Sequence, residues 1–228
     1  MASGDSSRCS TQHTMTRLVR TFLLVVVTGL QACGDLYYTA APIEAWVVDA
    51  DTGAPIEGAV VTANWQLVAF GFDTGGRKQG QLEVMETVTD KNGRFHFPGF
   101  TKVNLSGNAL GEEDPQILIF KPGYRHIQAT NQYPIGQEES QGPRRRSSII
   151  GQRLKMQPAG DDVKKYASDL GFLGVELEII ADNGRAHELP RMIRALACER
   201  LRLRKLDPTI ASIPVPVARN AETNCDSH

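Results

Sequence analysis

Five histidines and a few runs of carboxylates are the side chains of this 228-residue chain that could catalyse a reaction or hold a metal ion. A catalytic zinc site needs about three protein ligands around an open position, and many metallopeptidases supply two of them in an HExxH motif. The chain contains no HExxH, and His96, His126 and His187 lie far apart in the sequence. The run Glu112-Glu113-Asp114 is contiguous, whereas a general acid and a general base must face each other across a cleft. The sequence therefore predicts no catalytic residue, no metal site and no bound cofactor.

Two other motifs match ligand-binding loops only in part. The glycine-rich stretch 75–80 lacks the Gly-Lys-Ser/Thr sequence with which a P-loop holds phosphate and metal, and the chain has no GxSxG nucleophile motif. Asp49, Asp51 and Gly53 match the start of a calcium loop, but an EF-hand places its glycine one position later and adds a distal bidentate glutamate. We expect a solvated loop in the first case and a tight turn in the second.

The first 32 residues have the pattern of a secretory signal. After Met15, a candidate for the true start of translation, Arg17 and Arg20 precede an apolar run at positions 22–30. A basic segment followed by a short apolar segment is typical of a signal peptide, and this run is too short for a membrane span, which needs about 20 residues. We expect residues 1–32 to be removed from the mature protein.

The apolar run ends in Leu30-Gln31-Ala32-Cys33, which resembles the lipobox of bacterial lipoproteins. In that family the cysteine thiol is acylated and the preceding peptide bond is cut. The resemblance implies lipid on Cys33 and attachment to a membrane, because two or more acyl chains anchor a protein stably where a single chain exchanges. The alternative is an ordinary signal cut after Ala41, which would release a soluble protein.

Residues 33–42 form a tether in this interpretation. The first predicted strand begins at Ile43, and the residues between it and Cys33 span at most about 30 Å when fully extended. The folded body would therefore stay close to the bilayer. We place the protein in the cell envelope, exposed to the periplasm or to the cell surface.

The remaining cysteines allow a disulfide. Cys9 leaves with the signal and Cys33 carries lipid, so Cys198 and Cys225 remain in a compartment that permits disulfides. A bridge between them would tie the tail to the preceding helix and contribute about 3 kcal/mol by the chain-entropy estimate. The alternative is a buried apolar Cys198 and a thiol at Cys225 in the tail.

The charge of the chain argues against nucleic acid as a partner. The net charge is −1, and residues 1–32 contain three arginines and one aspartate, so the remainder carries −3. A nucleic-acid-binding domain needs a surplus of Lys and Arg that neutralises phosphates. We exclude that function class.

Residues 43–158 have the pattern of an all-β sandwich, with short apolar stretches between turn residues. In the stretch 59–67 the odd positions are apolar while Thr62, Asn64 and Gln66 are polar, so we expect one buried face and one solvated face. Val60 is the one residue that does not fit this alternation.

The other strand signals follow in order along the chain. The stretches 43–48 and 59–67 flank a turn and predict a hairpin. Asn92-Gly93 is a hairpin-turn sequence and predicts another between 84–89 and 95–97. We expect two more strands, a continuous apolar one at Gln116–Phe120 and a last one at Ser148–Met156.

Three sequence blocks in this region, VVDADTGAPIEGAVVTA, TVTDKNGRFHFPGF and IFKPGY, resemble successive signatures of carboxypeptidase regulatory-like domains. The resemblance covers about half of the chain and implies a transthyretin-like β-sandwich of about seven strands. It implies little about activity, because such modules usually accompany a catalytic or receptor domain and a fold alone does not define function.

Two long segments depart from a minimal module of this type, 71–83 and 131–147, the second of which contains Arg144-Arg145-Arg146. Loops of this length are either mobile or functional. We favour mobility, and would look there first for a binding surface.

The segment 159–206 is predicted to be helical and 207–228 an irregular tail. Asp161-Asp162 can cap a first helix that ends before Gly171, and a second helix is expected at 189–203. The second helix has an apolar stripe that would pack on the sandwich and a basic face. We favour a solvated basic face over contact with anionic headgroups near the tether.

Together these features predict a lipid-anchored, non-enzymatic protein of the cell envelope. Its β-sandwich would be a binding or structural module for a protein or glycan of the envelope. The alternative is an accessory subunit of an envelope peptidase or an unrecognised hydrolase.

Overall fold

The computed structural model describes residues 36–69, 78–111, 113, 115–131, 144–210, 213–216 and 225. In these ranges the chain is mainly β with a small helical segment at the carboxyl end, which confirms the predicted fold class. Eleven strands are described, more than the seven or so expected: β1 (Tyr37–Ala40), β2 (Ile43–Asp49), β3 (Val60–Val68), β4 (Lys78–Val88), β5 (Arg94–Phe97), β6 (Phe100–Val103), β7 (Ala109–Leu110), β8 (Gln116–Phe120), β9 (Ile127–Ala129), β10 (Arg144–Arg145) and β11 (Arg153–Met156).

The helical segment contains α1 (Val163–Ile180) and α2 (Pro190–Leu206). A π-helical turn at Ala181–Arg185 and a 3-10 turn at Ala186–Glu188 join them. Among the described residues no helix has both the length and the apolar character that a membrane crossing requires.

The strands form three sheets around one core. Two three-stranded sheets, with strand orders β10-β1-β6 and β11-β2-β5, face a larger sheet with the order β4-β3-β8-β9, to which β7 adds by pairing with β3. Side chains from all three sheets meet between them, and Trp65 of β3 contacts Phe100 of β6 edge to face with ring centroids 4.8 Å apart. The larger buried apolar side chains of this core are Tyr38, Ile43, Trp65, Phe95, Phe97, Ile117, Ile119 and Met156.

The second face of the larger sheet is covered by the helices, which corrects the expectation of a solvated face. Val60 packs there with Leu118 and Phe120 against the apolar stripes of α1 and α2. Thr62, Asn64 and Gln66 are consequently buried. Val60 fits the structure because it points into this second core, and the continuous apolar sequence of β8 is buried on both faces. The molecule therefore has three layers: the two small sheets, the larger sheet and the helices.

Neither predicted hairpin is present. Strand β2 pairs with β5 and β11, whereas β3 pairs with β4 and β8 in the opposite sheet. β4 and β5 are likewise in different sheets, so the Asn92-Gly93 turn carries the chain from one sheet to the other. The carboxylate of Asp90 accepts the N–H groups of Asn92 and Arg94 in this turn. Gly93 has φ +70°, and a Cβ there would lie 2.3 Å from the carbonyl oxygen of Val47.

Part of the predicted tether is a strand. Tyr37–Ala40 pairs antiparallel with β6 and parallel with β10. Tyr38 and Ala40 are buried while Tyr37 is exposed. The alternation covers only four residues, which is too short to distinguish a strand from a tether by sequence pattern.

The two long segments are less irregular than expected where the structure describes them. In the first, β4 begins at Lys78. In the second, Arg144–Arg145 forms β10, and Arg145 is buried. Residues 70–77 and 132–143 lie outside the described residues. The first of these ranges includes positions 75–77 of the glycine-rich stretch. The last predicted strand is confined to Arg153–Met156, because 148–150 form a turn.

Helix α1 is longer than predicted. Its start is confirmed, since the Asp162 carboxylate accepts the N–H of Lys165 at 3.0 Å, but the helix continues through Gly171 to Ile180. A Cβ on Gly174 would lie 2.1 Å from the carbonyl oxygen of Pro214. Gly174 therefore lets the segment 213–216 pack closely against α1.

Candidate functional site

Cys33, the predicted lipidation site, lies outside the described residues. Leu36 is the first described residue, and β1 starts at Tyr37, four residues after Cys33 in the sequence. Strand β1 is therefore the described element nearest to Cys33 along the chain.

Strand β1 is held by an aromatic ring and a buried guanidinium. The Tyr38 hydroxyl accepts the N–H of Leu110 at 3.1 Å. The guanidinium of Arg145 lies over the Tyr38 ring, 5.8 Å from its centroid, and donates to the carbonyl oxygens of Leu110 and Gly111 at 3.2 Å each. One arginine of the predicted Arg144–Arg146 loop is thus a structural residue of the sheet.

The Asp49 turn, which resembles half of a calcium loop, uses its carboxylate within the fold. One oxygen of Asp49 accepts the N–H groups of Asp51 and Thr52 and the Thr52 hydroxyl, and the other accepts the hydroxyl of Tyr124 at 3.0 Å. The Thr52 hydrogen bonds hold the pKa of Asp49 below its usual value. This is the tight turn that the sequence predicts.

Two other acidic side chains act as structural hydrogen-bond acceptors. Leu189, at the N-terminus of α2, offers no capping side chain; the carboxylate of Glu86 on β4 instead accepts the N–H groups of Arg191 and Met192 at 3.1 and 2.7 Å. Burial raises the pKa of Glu86. Glu199 of α2 is only 2% exposed and accepts two hydrogen bonds from Arg202, at 2.8 and 2.7 Å.

The described histidines are dispersed. His96 is exposed on β5, as predicted, opposite Glu44 of β2. His126 is half-buried, burial lowers its pKa, and its Nδ1 has no hydrogen-bond partner among the described residues. His187 is exposed beside Glu188. Across the described ranges, no group of three or more His, Cys, Asp or Glu side chains is placed to hold a metal ion.

A row of polar side chains lies under the helices. Gln66 Nε2 donates to Gln116 Oε1 at 2.9 Å, and Gln116 Nε2 donates to Glu176 Oε2 at 3.1 Å. Thr62 Oγ1 and both amide atoms of Asn64 are buried without a hydrogen-bond partner among the described residues. The sequence predicts solvated side chains for Thr62, Asn64 and Gln66 of this row, and that prediction is wrong because all three are buried.

Cys198 and Cys225 form a disulfide in the structure, with their Cα atoms 5.3 Å apart. It joins α2 to the end of the chain across a sequence separation of 27 residues. Ile210 and Ile213 of the intervening segment are buried against the helices. The tail is irregular where it is described, and it packs on the helical layer.

The basic face of α2 lies on the side of the molecule opposite β1. Arg191, Arg194, Arg202 and Arg204 are exposed on it. The helices cover one face of the larger sheet, while the sheet that contains β1 covers the other. The larger sheet therefore separates this basic face from β1.

The structure has an exposed apolar surface, not predicted from the sequence, that begins three residues after Cys33 along the chain. Four large apolar side chains are exposed there: Leu36, Tyr37, Val103 and Leu105. They lie at the end of the β1–β6 pair, where Tyr37 is directly opposite Val103. An extended tether at 33–42, as predicted from the sequence, would not form such a surface.

Comparisons with known proteins identify no family. No protein family matches the sequence, and no curated protein matches it. The solved structures similar to this chain include the 3-chlorocatechol 1,2-dioxygenase of Rhodococcus opacus (18% identity, 53% of this chain and 59% of that chain, TM-score 0.29). They also include a streptococcal ancillary pilin (14%, 53% and 30%, 0.29) and the catechol 1,2-dioxygenase of Pseudomonas arvilla (13%, 55% and 54%, 0.31). Similarity at this level assigns no activity to the chain.

Proposed function

We propose that this chain is a lipid-anchored, non-enzymatic protein of the bacterial cell envelope, with a β-sandwich that serves as a binding or structural module. The observation that carries the proposal is the Leu30-Gln31-Ala32-Cys33 sequence, which ends three residues before the folded body. Lipid on Cys33 would hold the body against a membrane surface.

The position of β1 favours cleavage before Cys33 over cleavage after Ala41. A cut after Ala41 would remove the whole of β1, including the buried Tyr38 and its hydrogen bond to Leu110. Removing a large buried aromatic side chain typically costs about 3–5 kcal/mol. A cut before Cys33 leaves the strand intact.

The hydrogen bonding of the acidic residues supports a non-enzymatic function. Asp49 stabilises a turn, Glu86 caps α2, and Glu199 binds Arg202. Carboxylates used in this way are satisfied by the fold, whereas a general base must be within hydrogen-bond reach of the proton that it removes.

Anchoring is tested by Cys33→Ser. The wild-type chain should incorporate labelled fatty acid and sediment with membranes, and the variant should lose both properties. The Cys198→Ser/Cys225→Ser double variant is the matched control, since it replaces the two cysteines of the disulfide, leaves Cys33 in place and should retain the label. Membrane retention and normal processing of Cys33→Ser would contradict the proposal.

The binding role is tested by crosslinking in intact cells followed by capture from solubilised membranes. A stable peptidase partner would favour the alternative, an accessory subunit. Turnover of a substrate by the purified chain, abolished by His126→Ala, would overturn the non-enzymatic assignment.

A further inference from the structure

The sheet β10-β1-β6 has an inner face that belongs to the core and an outer face that does not. Tyr38 and Ala40 of β1 point inward, together with Arg145. Lys102, opposite Tyr38, also points inward and forms an ion pair with Glu83 of the larger sheet. Because side chains alternate along a strand, the neighbouring positions must point outward.

The outer face combines apolar, hydroxyl and basic side chains in a defined order. The register places Tyr37 opposite Val103, and then Thr39 opposite both Thr101 and Arg144. The hydroxyls of Thr39 and Thr101 lie 2.9 Å apart, which confirms that they share this side of the sheet.

Leu105 extends the apolar end of this face. The N–H of Asn104 donates to the carbonyl oxygen of Leu36, and the Asn104 side chain is buried, so the alternation directs the next residue outward. That residue, Leu105, is 83% exposed. We call the surface formed by Tyr37, Val103, Leu105 and Arg144 the edge patch. A folded protein rarely exposes adjacent large apolar side chains unless they contact a partner or a membrane.

The distance to Cys33 identifies the occupant of the edge patch. Tyr37 is four residues after Cys33, and four residues span at most about 14 Å. We infer that the edge patch contacts the bilayer in which the lipid on Cys33 is inserted, with Leu105 and Val103 in the interfacial region. This inference rests on the proposed lipidation of Cys33.

The chemistry of the edge patch fits a phospholipid surface. Aliphatic side chains gain free energy when they leave water for the interface, and tyrosine is enriched at headgroup depth. The exposed guanidinium of Arg144, two residue pairs further along the same face, can meet lipid phosphates. The contact would hold the body in one orientation, with the helical layer directed away from the membrane.

The test uses the lipidated mature protein, which begins at Cys33, in phosphatidylcholine–phosphatidylglycerol vesicles. An environment-sensitive fluorophore is attached at Leu105→Cys, and at Phe172→Cys in a matched control. Phe172 is 67% exposed on α1 and belongs to the layer on the other side of the larger sheet. Both positions are exposed, so neither substitution removes a core side chain.

We expect a blue shift at position 105 and strong quenching there by spin-labelled phospholipid, with neither effect at 172. Tyr37→Asp in the 105-labelled chain should abolish the shift while the protein still floats with the vesicles. A floating protein without a shift or quenching at 105, or with equal quenching at both positions, overturns the inference and leaves anchoring intact. A chain that does not float overturns the proposed anchoring, and the membrane contact of the edge patch with it.

Discussion

The close approach of the tail to α1 predicts opposite effects for two glycine substitutions in one helix. Gly171 and Gly174 both lie inside α1. A Cβ on Gly171 would meet nothing within 4 Å, whereas a Cβ on Gly174 would lie 2.1 Å from the carbonyl oxygen and 3.0 Å from the carbonyl carbon of Pro214. Gly171→Ala is therefore a matched control for Gly174→Ala.

The magnitudes follow from the two environments. Replacing glycine by alanine in a helix interior contributes about 0.5–1 kcal/mol at either position. At position 174 the tail must move by more than about 1 Å, because nonbonded heavy atoms prefer separations of about 3.5–4.0 Å. Overpacking of this kind costs about 1–3 kcal/mol. Both variants gain the same stabilisation from replacing glycine in a helix, so this contribution cancels when they are compared. We therefore expect Gly174→Ala to be less stable than Gly171→Ala by about 1–3 kcal/mol.

Urea denaturation of the two purified variants measures this difference. An equal m-value with a lower midpoint for Gly174→Ala would assign the effect to the folded state. In thermal melts the two midpoints should differ by about 2–4 °C per kcal/mol for a protein of this size. Equal stabilisation by both substitutions would refute the packing of residues 213–216 on α1.

Three further predictions concern the buried polar row, the disulfide and the acid limit of stability. Thr62→Val should leave the free energy of unfolding unchanged or raise it, because the buried Thr62 hydroxyl has no hydrogen-bond partner among the described residues. Thr89→Val should lower it by about 1–3 kcal/mol, because the Thr89 hydroxyl accepts from the N–H of Ala59 and donates to the carbonyl of Ile56. Equal effects in urea denaturation would contradict this assignment. Reduction of the Cys198–Cys225 bridge should lower the free energy of unfolding by about 3 kcal/mol, and equal alkylation of both thiols with and without reductant would exclude the bridge. Because the pKa of Asp49 is lowered in the folded state, the stability it contributes is present above its unfolded pKa of about 3.9 and is lost as the pH falls through the folded value. Asp49→Asn should therefore flatten the acid side of the stability profile, and an unchanged profile would argue against the Thr52 hydrogen bonds.

Local sequence patterns predicted the bounds and burial of some elements correctly. Strand Gln116–Phe120 has the predicted bounds, and the alternation of Phe95, His96 and Phe97 matches their burial. The Asp162 cap of α1 was also readable, because capping depends on neighbouring residues.

Local sequence patterns do not predict which strands pair when the segments are far apart in the sequence. Asn92-Gly93 indicates a turn, but the sequence does not say whether the strands on either side join one sheet or two. The polar face of β3 looked solvated because its cover, α1 and α2, comes about a hundred residues later. Val60 within that face and the apolar continuity of β8 were the available signals of a second core.

The most direct test of the account is the mass of the amino-terminal peptide of the protein extracted from cell membranes. We predict that the peptide begins at Cys33 and carries the added mass of two or more acyl chains on that residue. An unmodified peptide that begins at Pro42, or one that still contains residues before Cys33, would contradict lipid anchoring.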